Sequence, residues 1–259
     1  MTVTKKIAIF LTEHSAEWTH PYGTYDEMVC KLLNTTKPNR LPEGGIEYRV
    51  FDIYNGEIPN AQELQPEEYM GIFITGSRYD SFAEDIDWIS RLKKLLVELL
   101  DDTKAYPPIV GVCFGHQVIA CALGGKVNRN PVGFEGGVVP VDLNEHGMKL
   151  FGQRQLNLSM LHNDTVLEKP LDSSIVNWGS TPRCNFQGFY KPTRLLTFQG
   201  HPEFVSEVAR RGWEKTLQDP NAKFSEGQVE EMAELTSTLE NHGYSVAVNA
   251  IWKLFTNKI

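Results

Sequence analysis

The sequence predicts an α/β fold: an open, mostly parallel sheet with helices on both faces. Three observations point to it. In the first half, short runs of strand formers alternate with segments whose apolar residues recur at helical spacing. The runs Ile7–Leu11, Tyr69–Thr75 and Ile109–Val112 are apolar almost throughout, as strands buried on both faces are. Thr75, Cys113 and His201 fall at the carboxyl ends of such runs, where ligands bind in open parallel sheets.

Taken in order, Ile7–Leu11 is the first strand. Tyr25, Met28, Val29, Leu32 and Leu33 share one side of a helix over Thr24–Leu33. Prolines and glycines in Asn34–Gly45 mark a loop. Ile46–Ile53 alternates apolar and polar residues, the pattern of a strand with one side partly exposed. A second loop, Asn55–Glu68, leads to the strand Tyr69–Thr75, which ends in Gly76-Ser77. Trp88, Leu92, Leu95, Leu96 and Leu99 form a helical stripe that should pack on the sheet. Ile109–Val112 then passes through a Gly-x-Cys-x-Gly turn into a short helix over Gln117–Leu123, stopped by Gly124-Gly125.

Beyond Gly125 the pattern changes to short β-rich pieces with few helices: Gly137–Leu143, Leu156–Leu161, Ser173–Gly179 and Phe186–Tyr190. Leu195–Gly200 is the last sheet strand and feeds a helix over Val205–Leu217. A polar break with Pro220 follows, then Ser225-x-x-Gln228, which reads as a capping box for a helix through Leu239. The final helix, Tyr244–Phe255, places Tyr244, Val248, Ile251, Trp252 and Phe255 on one face. The expected organisation is one domain over residues 1–217, with residues 218–259 as a helical extension packed on it. The last apolar stripe could instead meet a partner subunit, or a second copy in a homo-oligomer.

Composition narrows the function classes. The net charge is −8 and no Lys/Arg-rich run is present, which argues against nucleic acid. The first apolar run has five residues, too few for a secretory leader, and no run is long enough to cross a membrane as a helix. The four cysteines, Cys30, Cys113, Cys121 and Cys184, include no Cys-x-x-Cys, and a reduced cytoplasmic compartment is expected. No zinc-ligand spacing and no phosphate-binding Gly-x-x-x-x-Gly-Lys-Ser/Thr loop occurs, so neither a metal nor another cofactor is expected.

Two stretches carry the chemistry. Gly111-Val112-Cys113-Phe114-Gly115 joins a buried strand to a helix, the context of a nucleophile elbow, and Gly111 and Gly115 leave room where Cβ atoms would collide. A buried structural cysteine is the bland alternative; the flanking glycines and the helix start favour a nucleophile. His201-Pro202-Glu203 follows the last sheet strand. Read as extended chain, it points His201 and Glu203 to one side, so the imidazole can face Cys113 with the carboxylate behind it. A helix-start carboxylate is the bland reading of Glu203.

Gly-Val-Cys-Phe-Gly-His-Gln, followed by Gly-His-Pro-Glu, resembles the class I glutamine amidotransferases over about Ile7 to Thr216. The nearest likeness is to free-standing, GMP-synthase-like glutaminase domains, a group that includes γ-glutamyl peptidases and uncharacterised fungal members. The resemblance implies a flavodoxin-like sheet, a Cys113/His201/Glu203 triad and a γ-glutamyl thioester formed from a small-molecule substrate, glutamine or a γ-glutamyl compound. It implies an oxyanion hole from the backbone N–H groups of Phe114 and Ser77, and substrate contacts from Gly76, Gln117 and Asn163. Gly76-Ser77-Arg78 departs from the two glycines usual in the family. Two other readings stand beside the hydrolase: a glutaminase subunit delivering ammonia to a separate synthetase, and a catalytically idle regulatory subunit.

Overall fold

The structure, a computed structural model, describes residues 4–14, 16–39, 41, 44–220, 222 and 224–259. Its centre is a seven-stranded sheet in the order β2 (Ile46–Asp52), β1 (Lys5–Leu11), β3 (Tyr69–Ile74), β4 (Ile109–Val112), β12 (Leu195–Phe198), β11 (Phe189–Lys191), β9 (Val176–Asn177). The first five are parallel; β11 runs antiparallel to both its neighbours. The strand order reverses between β1 and β3, and such a crevice at the strand ends is where ligands bind.

Alternate residues of each parallel strand enter opposite cores. Ala8, Phe10, Ile72 and Ile74 pack with α2 (Asp87–Leu99) and α3 (Phe114–Ala122) on one face. Ile7, Ile9, Phe73, Val110 and Phe198 pack on the other with α1 (Tyr25–Thr35) and the C-terminal helix. The Trp88–Leu99 stripe is buried as expected. Helix α3 starts at Phe114, three residues earlier than the pattern of apolar residues suggests, because the turn at Cys113 is a single residue wide.

The half after Gly125 departs most from expectation. It holds a three-stranded sheet, β10 (Gly179–Ser180), β6 (Glu135–Leu143), β7 (Gln155–His162), and a two-stranded one, β5 (Lys126–Arg129) with β8 (Asp164–Glu168). Of Ser173–Gly179 only two residues join the central sheet. A further helix, α4 (Glu145–Phe151), begins where Asn144 Oδ1 accepts the His146 and Gly147 N–H groups at 2.9 and 3.2 Å. Helix α5 spans Ser206–Thr216.

Helix α6 (Gln228–Thr238) starts at the glutamine expected to close a capping box. Gln228 Oε1 accepts the Ser225 N–H at 2.9 Å, but its Nε2 donates to Phe134 O at 2.7 Å, so the side chain ties the break to the small sheet and caps no helix. The last helix is α7 (Gly243–Val246), a π turn (Ala247–Ile251) and α8 (Trp252–Phe255). The π turn inserts one residue into the helical repeat. It brings Trp252 and Phe255 onto the face of Val246, Ala247 and Ala250, which is buried, and leaves Tyr244 and Val248 half exposed. The stripe read from spacing is therefore divided between core and surface. Phe255 covers Gly71 of β3, where a Cβ would lie 2.2 Å from the ring, and Trp252 Nε1 donates to Thr36 Oγ1 at 3.0 Å.

Between α6 and α7, Asn241 Nδ2 donates to Phe204 O at 2.7 Å and lies 3.3 Å from His201 O. His242 N donates to Asn157 O at 2.9 Å. Among the described residues no helix is long and apolar enough to cross a membrane.

Candidate active site

Cys113 follows β4 directly and has φ 49° and ψ −104°, a left-handed conformation rare for a residue with a side chain. The close approach that forces it is visible in its neighbours. A Cβ on Gly111 would lie 2.8 Å from the Gly115 carbonyl carbon, and one on Gly115 would lie 2.7 Å from Ile74 O. The Cys113 N–H donates to Phe198 O at 2.8 Å, anchoring the turn to β12. Cys113 is the residue directly before the first turn of α3.

Strand β12 runs parallel to β4 with Phe198 opposite Val112, so the chain leaving β12 emerges beside Cys113. His201 N donates to Ser159 O at 2.8 Å, and its Nδ1 pairs with Glu203 Oε1 at 2.7 Å. The pairing is as expected, but its geometry is not that of extended chain. The strand ends at Phe198 and residues 201–204 form a turn, with Phe204 N donating to His201 O at 3.3 Å. That turn stacks the Phe204 ring flat on the imidazole, centroids 4.0 Å apart. With Nδ1 committed to Glu203, Nε2 is the ring nitrogen left for the sulfur. Burial opposes a charged imidazole; the Glu203 carboxylate, then Cys113 and hydrogen bonds to both, outweigh it and push His201 up to about 10.

The end of β3 closes on this pair. A Cβ on Gly76 would lie 2.8 Å from His201 Cε1 and 3.6 Å from Cys113 Cβ. Thr12 Oγ1 bonds Gly76 O and Thr75 Oγ1, each at 3.0 Å, which fixes β3 to the end of β1. Among the described residues neither the Ser77 nor the Phe114 backbone N–H has a hydrogen-bond partner. Ser77, Gln117, Asn163, Cys113 and His201 line one cavity of about 810 Å³, which Gly76 and Phe114 do not line; the Gly76 backbone stands against His201 and Cys113. Gln117 Nε2 donates to Asp164 O at 3.0 Å and to Gln199 Oε1 at 3.2 Å, leaving its oxygen for a ligand.

Other residues in and beside the cavity are joined by contacts between segments far apart in the chain. Glu13, 4 % exposed at the end of β1, accepts the Arg78 backbone N–H at 3.1 Å and pairs with Arg78 Nε at 3.3 Å. Arg129 grips Asp80 through both terminal nitrogens, at 2.7 and 2.9 Å, and also reaches Asp164. His162 lies between Glu135 Oε2 and Asp164 O, each at 2.9 Å. Burial opposes the charge on Glu135, yet His162, Thr181 and Gln187 hold its carboxyl below the ordinary range. In the sequence Glu135 stands in Phe134-Glu135-Gly136, which is similar to a family Glu-Phe-Gly segment in altered order but suggests no role, because its partners come from distant strands. Among the described residues no group of three or more His, Cys, Asp or Glu side chains is placed to hold a metal ion.

Comparison with known proteins identifies the family. The family described as glutamine amidotransferase class-I matches residues 39–216. A Saccharomyces cerevisiae protein named "Putative glutamine amidotransferase YLR126C" is 47% identical over 259 residues, covering 100% of both chains. Gamma-glutamyl peptidase 4 of Arabidopsis thaliana is 31% identical over 215 residues, 80% of this chain and 79% of its own. The crystal structure of a glutamine amidotransferase from Thermotoga maritima superposes with a TM-score of 0.67 at 18% identity, covering 98% of this chain and 99% of that one. That likeness is one of fold.

Proposed function

Because this chain belongs to the class I glutamine amidotransferase family, we propose that it is a cysteine-nucleophile hydrolase cleaving the γ-amide bond of glutamine or of a γ-glutamyl compound. The observation that carries the reading is that Cys113, at its strained turn, and His201, paired with Glu203 at 2.7 Å, line one cavity. The γ-glutamyl peptidase named above supports a γ-glutamyl substrate.

In this reading Cys113 gives its proton to His201 Nε2, and the sulfur attacks the γ-carbonyl carbon. Glu203 holds the imidazole in the required tautomer and balances its charge. The Ser77 and Phe114 N–H groups, unpartnered at the site, stabilise the oxyanion. His201 passes the proton to the leaving nitrogen, the C–N bond breaks, and a γ-glutamyl thioester remains on Cys113. Water then attacks, its proton goes to His201, and glutamate leaves with the thiol restored. Gly76 gives the room in which the sulfur and imidazole meet, and Gln117 and the Asn163 loop hold the glutamate half. On the leaving-group side, Arg78 keeps its terminal nitrogens for the carboxylate of a departing amino acid, since only its Nε pairs with Glu13.

The test is glutamate release from glutamine, glutathione and a γ-glutamyl dipeptide in turn, with Cys113→Ala as the control. Release from at least one, absent in the control, is expected. Release from none, restored for glutamine by an added protein subunit, would instead favour an amidotransferase subunit that feeds ammonia to a synthetase.

A further inference from the structure

The direction of the Ser77 N–H is set from outside the cavity. Thr12, the residue after β1, is fully buried and is not among the residues lining the cavity. Its hydroxyl lies 3.0 Å from Gly76 O and 3.1 Å from Thr75 O. A carbonyl oxygen only accepts, so the proton in both contacts is Thr12's. Gly76 O belongs to the same peptide unit as the Ser77 N–H, and in a trans peptide the two point in opposite directions. Strand β3 lies between β1 and β4. A Gly76 carbonyl held toward the end of β1 therefore turns the Ser77 N–H toward β4, the strand that Cys113 follows.

The same end of β1 holds the next peptide. Glu13 Oε2 accepts the Arg78 N–H at 3.1 Å, and its Oε1 accepts the His14 N–H at 2.9 Å. Tyr79 N donates to Ser77 Oγ at 3.2 Å. Of the three successive N–H groups from Ser77 to Tyr79, only that of Ser77 has no partner among the described residues. Thr75 Oγ1 also lies 3.3 Å from Gly76 O, but it is equally near Phe10 O, which leaves Thr12 as the closer donor.

We propose that Thr12 is a positioning residue for the hydrolysis: its hydroxyl holds the Gly76–Ser77 peptide so that the Ser77 N–H faces the oxygen of the tetrahedral intermediate. The assignment rests on the hydrolase reading above and adds to it the residue that aims one of the two oxyanion donors. Thr12 acts through that peptide and takes no part in bond making.

Thr12→Val keeps the branched shape and removes the donor, whereas Thr12→Ser keeps the donor. With whichever of glutamine, glutathione and a γ-glutamyl dipeptide the wild type cleaves, Thr12→Val should lower kcat about 100-fold, the smaller loss found when an oxyanion donor is removed, with KM unchanged. Thr12→Ser should restore the rate. Iodoacetamide alkylates Cys113 by displacing iodide at a saturated carbon and needs no oxyanion, so peptide mass spectrometry should find that reaction unslowed in both variants. In crystal structures the Gly76–Ser77 peptide should be turned in Thr12→Val and keep its wild-type direction in Thr12→Ser. An unturned peptide in Thr12→Val, no rescue by Thr12→Ser, or alkylation slowed as much as turnover would overturn the assignment. If Thr12→Val does not fold, the wild-type protein decides. Its crystalline adduct with a chloroketone analogue of glutamine, in which the Cys113 sulfur has displaced chloride, should place the ketone oxygen about 3 Å from Ser77 N with Thr12 still bonded to Gly76 O, and an oxygen held elsewhere overturns the assignment. If the wild type hydrolyses nothing but the peptide turns in Thr12→Val and not in Thr12→Ser, the hydrolase reading fails and the hold of Thr12 on Ser77 stands.

Discussion

Cys113 holds a backbone conformation that costs on the order of 1–3 kcal/mol for a residue with a side chain. Gly111, Gly115 and the bond to Phe198 O keep it there. Cys113→Gly removes the strained Cβ, so the variant should be more stable by about 1 kcal/mol while losing all labelling by an electrophilic glutamine analogue. Thermal denaturation checks this, and a lower melting temperature would show that the turn stores no strain. His201 carries a pH signature. Raised from 6.5 to about 10, it keeps a proton in the folded protein where the unfolded chain has lost it. The stability it contributes is complete below pH 6.5 and is lost as pH rises through about 10. Glu203→Gln removes a principal cause of that shift, so urea unfolding followed from pH 6 to 10 should fall less steeply in the variant than in the wild type. Turnover should drop by roughly 10- to 10⁴-fold, the upper figure being the loss when a triad's orienting carboxylate is neutralised. Identical pH slopes and rates would reduce Glu203 to a helix-start charge.

The turn after β3 sets how close His201 and Cys113 come. Gly76→Ala places a methyl group 2.8 Å from His201 Cε1. The imidazole is pinned by Phe204 and Glu203 and cannot yield freely, so turnover should fall about 100-fold, as for a misplacement near 1 Å, with the fold intact. Steady-state kinetics with a circular-dichroism spectrum checks it, and wild-type rates would mean that the imidazole swings aside at little cost. Elements of this kind were legible in the sequence because their signal is local: an apolar strand, two glycines and a helix start around Cys113, and a His-Pro-Glu behind an apolar run. The Trp88 stripe was legible because it faces a flat sheet. Strands β5 and β8 and helix α4 were not, since their burial is decided by partners far along the chain, and a π turn has no signature that would have moved Tyr244 out of the apolar face. The Glu135–His162 and Arg129–Asp80–Asp164 contacts were hidden for the same reason: each joins segments that meet only after the small sheets have formed.

Across the whole molecule, the C-terminal helix reaches the central sheet through Phe255, whose ring fills the space above Gly71. Phe255→Ala should cost about 3–5 kcal/mol in urea unfolding, the range for removing a buried phenylalanine ring. A loss below about 1 kcal/mol would mean that neighbouring side chains collapse into the space. The segment before that helix touches the site more directly. Asn241 bonds the backbone of the turn that carries His201 and Glu203. Asn241→Ala should therefore lower turnover by more than its effect on melting temperature would explain, measured below the melting transition. This arrangement has a consequence in time. A chain growing at roughly 5–20 residues per second reaches His201 some 4–18 s after Cys113 has been made, and reaches Asn241 later still. In the proposed reading the cysteine lacks its base throughout that interval. On that reading the sulfur meets its base only after β12 and the turn that follows it have been made and docked, and a nascent chain stalled before β12 carries the nucleophile without the means to use it.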